Sequence, residues 1–169
     1  MASYTKFNSF VEALAEKVHN LGADTLKVAL TNSAPAASNT QLSNITEITY
    51  TNLSARTLSV SASSQTSGTY KLVITDLVLT ASGGSVAPFR YVVIYNDTAT
   101  NDELIAYFDY GSALTLNNGD TLTLDFDATN GLLQIAYGTA PLINCPCKFV
   151  HQLQNLYFAL TGEELIIKN

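Results

Sequence analysis

The sequence predicts a mainly β fold: a β-sandwich or jelly-roll-like domain with one N-terminal amphipathic α-helix and a C-terminal extension. Three observations predict it. Two apolar runs, 89–95 and 104–110, face each other across a short polar loop. About eight short strand-like runs recur at near-regular spacing, separated by turns of Gly, Asn and Asp. Near the start, apolar residues follow a helical period instead.

The hairpin at 89–111 is the organising element. In its first run Phe89, Tyr91, Val93 and Tyr95 alternate with Val92 and Ile94, and in its second Leu104, Ala106, Phe108 and Tyr110 alternate with Ile105 and Tyr107. A strand apolar on both faces lies in the middle of a sheet and is covered twice. One face is expected to pack on a second sheet and the other to be roofed, at least in part, by the N-terminal helix.

That helix is predicted from Phe7, Phe10, Val11, Leu14, Val18 and Leu21, which fall along one helical stripe. Ser3 or Thr5 is the expected cap, Lys17 suits the C-terminal end of the dipole, and Gly22 follows as the stop. Residues 25–31 alternate Leu26, Val28 and Leu30 against Lys27 and Ala29, a strand with one wet face. Residues 32–44 lack a period and read as a long surface loop, with 45–50 a short strand or edge segment. Residues 56–63 and 70–79 pair as a hairpin about Gly68, and Asp76 marks a bulge or a passage between sheets. Gly83 and Gly84 turn the chain into the central hairpin. Asn117, Asn118, Gly119 and Asp120 form the next turn, 121–127 places Leu122, Leu124 and Phe126 on one face, and 132–137 is a last core strand.

At 169 residues the length suits a single core, here 1–136, with 137–169 as an extension or arm. Phe149, Leu153 and Leu156 recur at helical spacing, Phe158 adds an aromatic ring, and Leu165, Ile166 and Ile167 resemble a short strand. An apolar arm needs cover, either on its own domain or on a neighbouring subunit.

The net charge of −6 and the scattered Lys and Arg exclude a phosphate-tracking basic patch, so no nucleic acid is expected. No apolar run approaches the ~20 residues of a membrane-spanning helix, and the start lacks the pattern of a secretory signal, so synthesis in a cytoplasm is expected. Cys145 and Cys147 fit neither a C-x-x-C redox motif nor a closed zinc site, even with His151; they read as ordinary thiols, with an intermolecular disulfide open to them in an oxidising medium.

The search for chemistry returns little. His19 and His151 have no triad partners and read as surface or capping residues. Asp125 and Asp127 share a strand face and could serve as an acid/base pair, although a wet face explains them equally well. Asp97, Asn101, Asp102 and Glu103 offer hard oxygen ligands for calcium, but their spacing is that of a solvated hairpin loop rather than an EF-hand. Tyr50, Tyr70, Tyr91, Tyr95, Tyr107 and Tyr110 suit either strand packing or a carbohydrate-contacting surface. No cofactor fingerprint is present.

The order of an amphipathic helix, LKVALTNSAPAASNT, TASGGSVAPFRYVVIYNDTAT and YFDYGSALTLNNGDTLTLDFDATNGLLQIA resembles small structural proteins of tailed bacteriophages. The likeness covers residues 1 to about 136. It implies a virion structural protein without catalytic residues, cofactor or metal, most simply a capsid decoration (cement) protein on the outside of the shell. Its partners would be the major capsid protein or other virion proteins, in a homo-oligomer assembled in the host cytoplasm and located on the virion. A tail, baseplate or head-fibre component, or a carbohydrate-binding adhesin module, is the alternative.

Overall fold

The apolar runs around 89–114 form the middle of the main sheet. The computed structural model of the chain describes residues 3–136. In chain order they form β1 (Ser3–Lys6), α1 (Ser9–Ala15), β2 (Leu26–Thr31), β3 (Val60–Thr66), β4 (Thr69–Ile74), β5 (Leu77–Thr80), β6 (Phe89–Asn96), β7 (Leu104–Leu114), β8 (Thr121–Leu124) and β9 (Leu133–Ile135). Four strands make an antiparallel sheet in the order β1-β7-β6-β2; β3-β4-β9 and β5-β8 form two smaller antiparallel sheets.

One core joins all three sheets. Val28, Leu30, Val92, Ile94 and Ile105 of the four-stranded sheet meet Leu72 and Ile74 of β4 and Leu79 of β5. The fold is therefore mainly β with a sandwich-like arrangement. Each such side chain stabilises the fold by about 1.5–3 kcal/mol relative to exposure. Asp76 lies where the chain passes from β4 to β5, between sheets as its position suggested, and its Oδ1 accepts the Phe126 N–H at 2.9 Å.

The opposite face of the main sheet is covered, but not by the helix. Ala29, Val93, Tyr95 and Leu104 are capped by Phe7, Ile45 and Leu42, so the residue that follows β1 and the 42–45 stretch supply the roof. Phe10 and Leu14 of α1 belong to the first core instead. The expected stripe is split because the helix is only seven residues long. Ser3 and Thr5 lie in β1, Asn8 is the N-cap without a side-chain bond, and Val11 is exposed. The helix ends before its predicted stop. Lys17 takes a left-handed φ of 69°, with Val18 N–H donating to Ala13 O (2.8 Å) and Lys17 N–H to Leu14 O (3.4 Å). This is a Schellman ending with lysine where glycine is usual.

β2 has no wet face. Ala29 and Thr31 are buried, and Lys27 alone is partly exposed, paired with Asp97 at 2.8 Å. The 45–58 segment runs along the edge of β2: Ile48 N–H donates to Leu30 O, Val28 N–H to Arg56 O and Leu58 N–H to Leu26 O. Tyr50 Oη accepts the Leu30 N–H at 2.9 Å, and the Arg56 guanidinium lies 3.7 Å from the centre of the Tyr50 ring while donating to Val28 O.

Two register shifts change which residues share a face. Phe89 pairs with Leu114 and Tyr91 with Asp109, so 110–113 bulge opposite Arg90, with Gly111 at φ 96°. Phe89 thereby joins Val92 and Ile94 rather than Tyr91 and Val93. Ile94 pairs with Ala106 and Tyr95 with Leu104, leaving Ile105 as the extra residue. Leu104 therefore faces the roof, while Ala106 faces the main core. A strict two-residue alternation fails wherever an extra residue enters the ladder. A third shift, between Val60 and Ala62, leaves Ala62 exposed. Among the described residues β9 is an edge strand and not a core strand: Leu132 is buried, whereas Ile135 is 42% exposed.

Candidate functional site

A mainly apolar recess lies between the bulged end of β7 and β8. Val92, Phe108, Leu114, Leu122, Leu124 and Phe126 line a cleft of about 210 Å³, with Arg90, Tyr110 and Asp125 among its other walls. Its shape follows from local sequence. The 110–113 bulge carries β7 off the register, and the alternation in 121–127 turns Leu122, Leu124 and Phe126 inward as predicted. Arg90 grips Asp109 in a two-pronged pair, Nε to Oδ1 at 2.7 Å and Nη2 to Oδ2 at 2.8 Å. The hydrogen bonds from Arg90 hold the Asp109 carboxyl below the usual range, helped by the Gly111 N–H.

Asp125 and Asp127 are both exposed, and only Asp125 reaches the cleft. Asp127 closes its own turn. Its Oδ1 accepts the N–H groups of Thr129 (2.7 Å) and Asn130 (2.9 Å), and its Oδ2 accepts from Asn130 Nδ2 at 2.6 Å. The Asn130 backbone bond leads the effects that lower its pKa, the opposite of the shift a general acid needs at neutral pH.

The acidic hairpin loop is internally bonded. Asp97 pairs with Lys27, and Glu103 Oε1 accepts from Asn101 Nδ2 at 2.9 Å. Asp102 is left-handed at φ 54°, and its carboxyl is raised by burial and then by Asp97 and Glu103. Among the described residues no group of three or more His, Cys, Asp or Glu side chains converges on a metal position.

His19 is not a surface residue. It is 4% exposed, its ring centre lies 5.4 Å from that of Phe10, and its Nδ1 is 3.1 Å from Asn96 Nδ2. Burial lowers its pKa against the raising influence of Glu103 and Asp24. Sequence reasoning missed this because its partner stands 77 positions away.

Of the six tyrosines singled out, Tyr91 and Tyr95 are buried and only Tyr110 is exposed, at 53%. Burial pushes the Tyr95 hydroxyl up to about 12. Tyr4, which the strand pattern did not flag, is 44% exposed and packs 5.3 Å from Phe108, a lining residue of the cleft. Four residues of β1 are too few for alternation to register.

The arm residues Phe149, Leu153, Leu156, Phe158, Leu165, Ile166 and Ile167 lie outside the described residues, as do Cys145, Cys147 and His151. Among the described residues no helix is long and apolar enough to cross a membrane. No family model, curated protein or solved structure matches the chain.

Proposed function

We propose that the chain is a bacteriophage virion structural protein, a capsid decoration (cement) protein that binds the outside of the shell and stabilises contacts between capsomers. The observation that carries the reading is the character of the cleft. It is lined mainly by apolar side chains, flanked by the exposed ring of Tyr110 and by Tyr4 on Phe108, and its one ion pair, Arg90 to Asp109, is closed on itself. Such a surface receives a partner's side chains. The sequence resemblance and the acidic, hydroxyl-rich composition add to it, since repeated modest contacts on a lattice gain strength through multivalency while net negative charge repels packaged DNA. The arm at 137–169 is proposed to add area on a neighbouring subunit.

Quantitative mass spectrometry of purified particles tests the reading. A fixed ratio to the major capsid protein, retained on isolated heads, is expected. Low copy number and retention on tails after head removal would replace it with a tail, baseplate or head-fibre role. The exposed tyrosines favour a second reading, a carbohydrate-binding adhesin module, which a glycan array with the isolated protein would detect.

A further inference from the structure

His19, Asn96 and Asp24 meet where the segment after α1 crosses the start of the β6–β7 loop. Asn96 is wholly buried, and its amide can be oriented in one way only. Its Oδ1 accepts the backbone N–H groups of Thr98 (3.0 Å) and Ala99 (3.3 Å). Its Nδ2 therefore points at Asp24 Oδ2 (2.6 Å) and at His19 Nδ1 (3.1 Å). An amide nitrogen donates and does not accept, so Nδ1 of His19 must be the acceptor and the neutral ring must carry its proton on Nε2. Nε2 is itself buried without a hydrogen-bond partner. Asp24 holds the other side of the junction, accepting the Asn20 N–H at 2.7 Å through the same Oδ2.

We infer that His19 is a proton-operated latch: neutral, it accepts from Asn96 and helps Asp24 and Thr25 tie the segment after α1 to the start of the β6–β7 loop, and a proton on Nδ1 sets two donors face to face and removes that one bond, loosening the junction. The groups around the ring come from several elements. Asp24 from the following turn and Glu103 beside β7 attract the proton; burial opposes it and outweighs them. Phe10 of α1 contributes an uncharged ring, and Ser63 and Tyr70 of β3 and β4, bonded to each other at 2.9 Å, line the adjoining recess. The folded-state pKa is lowered, so the unfolded chain binds more protons once the pH falls below about 6.5. Stability from this site is complete above that pH, declines by at most about tenfold in the folded-to-unfolded ratio per pH unit, and levels off below the folded-state pKa.

The test is nitrogen NMR of the full-length protein, titrated from pH 7.5 to 4.5, with His151→Gln used to assign the second histidine. The Nε2–H tautomer at neutral pH and a midpoint below 6.5 are expected for His19. Protection of the Thr98 and Ala99 amides, corrected for intrinsic exchange, should fall several-fold between pH 6.5 and 5.5. An Nδ1–H tautomer, an ordinary or raised midpoint, or unchanged protection at Thr98 and Ala99 would overturn the latch. His19→Gln keeps an acceptor for Asn96 without a titrating proton and should flatten the stability profile across this window. An unchanged slope in that variant would also overturn the inference. If the variant does not fold, the wild-type titration decides.

Discussion

β6 and β3 are neighbours in length and opposites in environment. Seven of the eight residues of β6 are buried, whereas six of the seven residues of β3 are exposed. β6 has a hydrogen-bonded partner on each side and a core on each face; among the described residues β3 is an edge strand rich in serine and threonine, paired with β4 alone. The contrast teaches that the ladder by itself contributes modestly. What separates the strands is the apolar surface each removes from water. It also shows where this protein has room for partners: on the sheet edges and the cleft, away from β6.

The sharpest way to break the contrast is to remove the roof over β6. Phe7→Ala takes a fully buried ring out of the second core and should lower unfolding free energy by about 3–5 kcal/mol in urea titrations. A loss below 1 kcal/mol would mean that the roof contributes little. Next comes the anchor of the small sheet. Gly131 has φ 77°, and a Cβ there would stand 2.4 Å from the Leu72 carbonyl oxygen, so Gly131→Ala should cost about 1–3 kcal/mol and loosen β9 from β4. Hydrogen exchange at Leu133 and Gln134 would read the loosening directly.

A smaller effect of opposite sign is expected at the end of α1. Lys17→Gly relieves a left-handed lysine and should stabilise by about 1 kcal/mol, measured as a higher urea midpoint. The smallest effect belongs to the exposed strand. Ser64→Ala on β3 should change stability by no more than about 0.5 kcal/mol. If Ser64→Ala matched Phe7→Ala, the proposed difference between the two regions would fail.

Much of the fold was legible in the residues. The central hairpin, the inward face of 121–127, the turns at Gly68, Gly119 and Gly131 and the change of sheet at Asp76 all follow from local patterns. The missed features share one cause. A bulge adds a residue without a composition signal, so Phe89 and Leu104 were placed on the wrong faces. Leu42 lies in a loop without a period and Ile45 opens a stretch that reads as an edge segment, so neither announces a roof. Of the candidate chemistry, Asp125 and Asp127 were correctly placed on a wet face, but only coordinates reveal that Asp127 is committed to its turn.

The order of residues alone determined that the chain is β-rich, where most strands lie and which turns join them, because alternation and left-handed glycines act within a few positions. Tertiary structure alone decided which face each bulged strand presents, what covers β6, and that His19 is enclosed against Asn96. Those outcomes depend on atoms brought together from distant parts of the chain, and no local pattern encodes the meeting of His19 with Asn96.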